Sequence, residues 1–157
     1  MNDGETTVRR ATTEDARAIA PLFDAYRQFY EQPSDLALAE SFIGDRLARG
    51  ESVLFVAEGV GNDGLLGFVQ VYPTFSSVRC GVLWVLNDLY VAEGARRGGV
   101  GERLMNAVSD AARAAGARAV TLTTAHDNAR ARRLYERLGY EHDTEFRAYW
   151  LELGPSR

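Results

Sequence analysis

The chain has 157 residues, 46% of them hydrophobic and 25% charged, which suits one soluble domain, residues 1–157, with a core of its own. A formal net charge of -4 argues against a DNA-coating surface, so no nucleic-acid partner is expected. "MNDGETTVRR" lacks the apolar stretch of a secretory signal, and no run reaches the ~18 apolar residues of a membrane span. Cys80 is the sole cysteine and His126 and His142 the only histidines. Neither a disulfide nor a Cys/His metal site is expected, and a reducing cytoplasm fits.

"TTVRRA" reads as a first strand. "TTEDARAIAPLFDAYRQFYEQ" reads as a helix, because Ile19, Phe23, Tyr26 and Tyr30 recur at helical spacing and Thr12 or Thr13 can cap it. Pro21 should kink this helix or mark its start. "SDLALAESFIGDRLARG" reads as a second helix, with Ser34 as cap, Leu36, Ile43 and Leu47 on one face, and Gly50 as stop. "SVLFVAE" and "LLGFVQVY" flank Asp63-Gly64 and predict an antiparallel hairpin. "VLWVLNDLYV" is a long central strand. A helix from about Gly99 to Ala115 should turn Val100, Leu104, Val108 and Ala111 inward. "RAVTLTT" is reached through that helix, so it should run parallel to the strand before it. "NARARRLYERLG" is a short helix with Asn128 near its start and Gly139 as stop, and "FRAYWLEL" closes the chain as a strand. Residues 1 to 5 and 154 to 157 read as tails. The order β-α-α-β-β-β-α-β-α-β defines an α/β three-layer domain with a mixed sheet.

The junction "NDLYVAEGARRGGVGERLMNAV" carries the chemistry. A strand enters a loop with Arg96 and Arg97, and Gly98, Gly99 and Gly101 lead into a helix. Arg103 adds to this local basic patch. Bare backbone allows close approach, and the first helical turn offers unpaired N–H groups and a positive dipole end. Such a junction suits a phosphate or pyrophosphate; a flexible charged turn is the alternative. A nucleoside-triphosphate loop would need Lys-Ser/Thr after the last glycine, where Glu102 stands. A dinucleotide fingerprint would need glycine at Leu104.

These residues resemble the GNAT superfamily of N-acetyltransferases. Arg96, Gly99 and Gly101 fill its Arg/Gln-x-x-Gly-x-Gly/Ala signature, "LNDLYV" is similar to its bulged fourth strand, and Asn128, Ala131, Tyr135, Gly139 and Tyr140 match its downstream pattern. The likeness covers residues 53 to 153 and is nearest the branch of polyamine, small-amine, histone and amino-acid acetyltransferases. The resemblance implies a mostly antiparallel sheet split between its fourth and fifth strands, with helices on both faces. It implies acetyl transfer from acetyl-CoA to a primary amine by direct attack in a ternary complex, without a metal. Leu89, Tyr90 and Val91 would pair with the pantetheine arm, and a backbone N–H near Leu89 would stabilise the charge on the attacked carbonyl. N–H groups from Arg97 through Gly98, Gly99, Val100 and Gly101 to Glu102 would hold the pyrophosphate. Asn128 would contact the cofactor, and Tyr135 would be the general acid. Where polyamine enzymes carry Glu-Asp this chain has Asn87-Asp88, so an amide replaces their usual base.

Periodicity by itself makes Tyr135 a core aromatic as readily as a proton donor. Asp88 is either a base, directly or through water, or a structural acceptor for turn amides. Tyr26, Tyr30, Tyr72 and Trp84 either line an amine pocket through cation–π contact or belong to the core. Together with Asn87 and Asp88, Tyr30 and Tyr72 are the candidate substrate contacts. A small-molecule amine is the leading acceptor; the alternatives are a protein or peptide lysine, or an acyl-CoA-binding module without turnover. The resemblance also allows a homodimer.

Overall fold

The computed structural model describes residues 6–61 and 64–154. The chain falls into two compact units, one ending at Thr123 and one beginning at Thr124.

The first unit is built on a sheet in the order β1-β2-β3-β4-β5. Its strands are β1 (Thr7–Arg10), β2 (Val53–Glu58), β3 (Leu65–Ser76), β4 (Gly81–Val91) and β5 (Ala119–Leu122). The first four run antiparallel to their neighbours, and β5 runs parallel to β4 as the crossover through a helix requires. Between the strands lie α1 (Ala16–Phe29), α2 (Leu36–Ala48) and α3 (Val100–Ala114). The register separates two faces. Leu54, Val56 and Phe68 belong to the cluster of Ile19, Phe23 and Ile43 from α1 and α2. The alternate residues Ala57, paired with Gly67, and Phe55, paired with Val69, point the other way. There α3 buries Val100, Leu104, Met105 and Val108. Helices thus cover both faces, and this is the mixed α/β architecture expected from the sequence.

The sheet opens between its fourth and fifth strands. β5 pairs with β4 only from Leu83 to Leu86, whereas β4 continues to Val91. A bulge begins at that point. Val71 lies opposite Leu86 and Gln70 opposite Asp88, which leaves Asn87 as an extra residue in β4.

Several local expectations need correction. Asp35 caps α2, its carboxylate accepting from the Leu38 N–H at 2.9 Å, while the Ser34 hydroxyl donates to Asp24 at 2.6 Å. Leu36 is 51% exposed, and Ala39 takes its place in the core. In α3 Ala112, not Ala111, is fully buried. Pro21 neither starts nor ends α1, which runs through it from Ala16. Asp63 of the hairpin turn, and the tails 1–5 and 155–157, lie outside the described residues.

The second unit contains α4 (Ala129–Arg137), and Gly139 with a φ of 87° ends it as expected. "FRAYWLEL" is not a strand. A strand needs a ladder partner for its N–H and C=O groups, and among the described residues this stretch has none. Local contacts replace the ladder: Asp143 accepts from the N–H groups of Glu145 and Phe146, and the Trp150 indole donates to Glu152.

Gly67 carries the closest approach in the sheet. A Cβ there would sit 2.7 Å from the Tyr90 carbonyl oxygen and 3.3 Å from Leu104 Cδ1. The Gly67→Ala protein should therefore be less stable by about 1–3 kcal/mol, read as a lower urea midpoint with an unchanged m-value. An unchanged midpoint would show that β4 and α3 relax freely around the methyl.

Candidate active site

On the α1 face of the first unit, cross-strand partners share a side, so Asp88 lies with its partner Gln70, and Leu86 lies with Val71 on the α3 face. Without Asn87 as the extra residue, Asp88 would follow Leu86 away from α1. The bulge thus delivers a carboxylate to the side where α1 and α2 pack.

Asp88 is 3% exposed. Gln70 Nε2 donates to its Oδ2 at 2.7 Å and Asn87 Nδ2 to its Oδ1 at 3.1 Å. The Tyr26 hydroxyl donates to the Asn87 carbonyl at 3.1 Å, pinning the bulge to α1. Burial pushes the Asp88 pKa above the usual carboxylate value, while bonds from Gln70, Tyr26 and Asn87 pull it down. Burial wins, because desolvation of a charge outweighs a few donors. Both side-chain amides present N–H to the carboxyl, so the pocket accommodates the ionised, acceptor-only form. The Tyr72 phenol is pushed up to about 12, first by burial and then by the negative charge of Asp88.

Asp88 opens onto a cavity of about 370 Å³. Its apolar wall is Phe23, Tyr26, Tyr30, Leu38, Phe42 and Tyr72; its polar groups are Arg27, Gln32, Asn87 and Asp88. The predicted contacts Tyr30, Tyr72, Asn87 and Asp88 are thus brought together, with Tyr26. Trp84 is not among them; it is 4% exposed, in the core. Sequence reasoning passed over Phe23, Arg27 and Phe42 as lining residues and Gln70 as the partner of Asp88. The signals were present: Phe23, Tyr26, Arg27 and Tyr30 follow i, i+3, i+4, i+7 spacing on α1, and Gln70 is a lone amide in the apolar run "FVQVY".

The glycine loop follows the C-terminal end of β4, beyond Val91. Gly99 has a φ of 74° and caps α3 with no side-chain bond; the first helical bond returns from the Arg103 N–H to the Gly99 carbonyl at 3.1 Å. The N–H groups of Val100, Gly101 and Glu102 therefore precede the helical ladder. A Cβ at Gly99 would meet nothing within 4 Å, and one at Gly98 only the Ala95 carbonyl at 3.6 Å, so the space over the loop is open. Arg97 also has a φ of 74°, unusual for a residue with a side chain. This backbone fits a pyrophosphate, whose oxygens need closely spaced donors. Two of the three arginines are engaged elsewhere. Arg96 Nε donates to the Val91 carbonyl at 3.1 Å and its guanidinium lies 5.6 Å from the Tyr90 ring centre, and Arg103 donates to the Thr6 carbonyl. Beyond Leu86 the outer edge of β4, through Leu89, Tyr90 and Val91, has no strand beside it among the described residues. An extended amide-bearing arm fits such an edge.

In the second unit, Asn128 Oδ1 accepts from the Ala131 N–H at 3.3 Å, so this side chain caps α4. Tyr135 is half-buried on α4, with its ring centre 6.1 Å from that of Tyr140.

A bulged fourth strand, a sheet that opens behind it and a glycine-rich loop leading from it into a helix are the marks of a coenzyme A-dependent acyltransferase. The chain belongs to the acetyltransferase (GNAT) family, whose model matches residues 18–140. It is an acetyl-CoA-dependent N-acetyltransferase. It is 51% identical over 146 residues to the uncharacterized N-acetyltransferase YhfO of Bacillus subtilis, covering 93% of this chain and 97% of that one. It is 37% identical over 78 residues to the D-amino-acid N-acetyltransferase HPA3 of Saccharomyces cerevisiae, covering 50% of this chain and 48% of that one. The crystal structure of a probable acetyltransferase superposes with a TM-score of 0.89 at 39% identity, over 96% of this chain and 99% of that chain.

Acetyl-CoA should raise the melting temperature of the protein, because it binds the folded chain. Gly99→Val places a branched side chain over the loop and should remove most of that shift. A full shift in the variant would move the phosphate site away from this loop.

Proposed function

We propose that this enzyme acetylates the primary amine of a small molecule seated in the cavity of the first unit. The observation that carries the reading is Asp88, a buried carboxylate held by two amide donors and opening onto a cavity with a largely aromatic apolar wall. A cavity of about 370 Å³ falls in the range of small-molecule sites. The partial match to a D-amino-acid N-acetyltransferase is in keeping with a small acceptor.

Acetyl-CoA supplies an activated thioester acyl group. An alkyl ammonium has a pKa of ~10.4, so only about 0.1% is neutral at pH 7.4. Asp88 takes the proton that the amine must lose, and its raised pKa brings it nearer the working pH than an ordinary aspartate. The amine nitrogen then forms the new bond to the acyl carbon as the carbon–sulfur bond breaks. A backbone N–H at Leu89 stabilises the charge that gathers on the carbonyl oxygen. Tyr135 carries the proton needed by the departing thiolate. Val100, Gly101 and Glu102, with the loop residues Arg97, Gly98 and Gly99, hold the pyrophosphate. Leu89, Tyr90 and Val91 hold the pantetheine arm as an added strand, and Arg96 and Asn128 contact the cofactor. Tyr30, Tyr72 and Asn87 shape the acceptor site.

The test is a pH–rate profile with one amine. A base must be ionised, so kcat/KM in the wild type should be lost as pH falls through the raised Asp88 pKa. Asp88→Asn should lower kcat/KM most at neutral pH, by about 10²–10⁴-fold, and the deficit should shrink as pH approaches the pKa of the amine. A deficit that stays constant up to that pKa would make Asp88 a structural acceptor, with water carrying the proton away.

A further inference from the structure

The charges around the cavity restrict what can enter it. Its lining holds one carboxylate, Asp88, and one cation, Arg27. Arg27 is 18% exposed, and its bonds leave Nη1 only, at 3.4 Å to Asp24 Oδ1 and 3.3 Å to the Pro33 carbonyl. Among the described residues its Nε and Nη2 donors carry no hydrogen bond, so part of the planar fork that suits a carboxylate remains available. Asp24 orients it. That carboxylate is 4% exposed and also accepts from Ser34 at 2.6 Å, the Asp35 N–H at 2.7 Å and Gln28 at 3.0 Å. The Ser34 bond is the largest of the contacts that hold its pKa below the usual value. Asp24 is thus a fixed anion behind the guanidinium, and its contacts also tie the α1–α2 connection to α1.

A diamine would bring two ammonium groups to a cavity that offers one anion and one cation. Its second charge would be desolvated near Arg27, an unfavourable like-charge approach. A zwitterion matches the lining charge for charge: its amine faces Asp88 and its carboxylate faces Arg27. The remaining wall, Phe23, Tyr30, Leu38 and Phe42, asks for an apolar side chain.

We infer that the acceptor is a free amino acid with an apolar or aromatic side chain, and that Arg27 reads its carboxylate. This rests on the small-molecule reading above and narrows it. Arg27 is the specificity residue; Asp88 acts on whichever amine is bound.

The experiment compares kcat/KM for phenylalanine (both enantiomers), phenethylamine and 1,4-diaminobutane, with thiol release from acetyl-CoA as readout. In the wild type the better phenylalanine enantiomer should exceed phenethylamine by about 10- to 100-fold, the effect of a charge-assisted hydrogen-bond pair, and the diamine should be poorer still. Arg27→Gln should bring the ratio of amino acid to amine close to one. Arg27→Lys, which keeps the charge without the fork, should retain an intermediate ratio and serves if the glutamine variant does not fold. The ratio is the informative quantity, because damage to the fold lowers both rates together. A wild type that prefers phenethylamine or the diamine overturns the inference and leaves the small-molecule reading standing. So does a ratio that both Arg27 variants leave unchanged. Acetylation of lysine peptides with no turnover of any free amine overturns both.

Discussion

One extra residue in β4 determines how this site is arranged. Because Asn87 has no partner on β3, the alternation of the strand shifts at that point, and Asp88 and Tyr90 join Gln70 and Phe68 on the α1 face. The β5 ladder stops at Leu86, the last residue before the bulge. Bulges add twist and bend the strand that holds them, so one irregularity both frees the outer edge of β4 and turns a carboxylate toward the cavity. The Tyr26 hydroxyl, bonded to the Asn87 carbonyl, couples the irregularity to α1, the helix that supplies much of the cavity wall.

The same placement reduces stability. Asp88 has a raised pKa, so the folded chain favours its protonated form more than the unfolded chain does. The contribution of this group to stability is full below the ordinary value of 3.8 and is lost as pH rises through the raised one. A carboxylate ionised at neutral pH in this position therefore works against folding, and the donors Gln70 and Asn87 limit the penalty. The proposed role as base gives a reason for a carboxylate at a position where an apolar residue would pack with less strain on the fold. Arg97, held at a φ of 74° in the glycine loop proposed to hold the pyrophosphate, follows the same logic on a smaller scale.

The sequence showed the fold wherever a periodic pattern met clear punctuation. The four helices and first five strands follow apolar repeats bounded by Gly50, Gly99 and Gly139, and the parallel β4–β5 pairing follows from the connecting helix. It failed where two neighbouring residues compete for one role. Ser34 and Asp35 are both good caps, and only the position of Asp24 decides that Ser34 turns to it. It failed again at "FRAYWLEL", whose composition favours a strand but whose ladder depends on a partner that local pattern does not reveal. The aromatic side of the cavity was visible as spacing on α1, yet spacing alone does not distinguish a core face from a pocket wall. Gln70 and Arg27 acquire meaning only from what lies across the sheet or behind the helix, which is long-range information.

The central claim is that the bulge presents a buried carboxylate ready to take a proton, and the protonation of Asp88 itself is the direct measure. Carboxyl-carbon NMR of aspartate-labelled protein, assigned by the resonance missing from Asp88→Asn, would give that titration in the free enzyme. The account predicts that the Asp88 resonance titrates clearly above its ordinary 3.8. A resonance that titrates at or below that value would contradict it, since hydrogen bonding would then outweigh burial and Asp88 would be a fixed anion rather than a base.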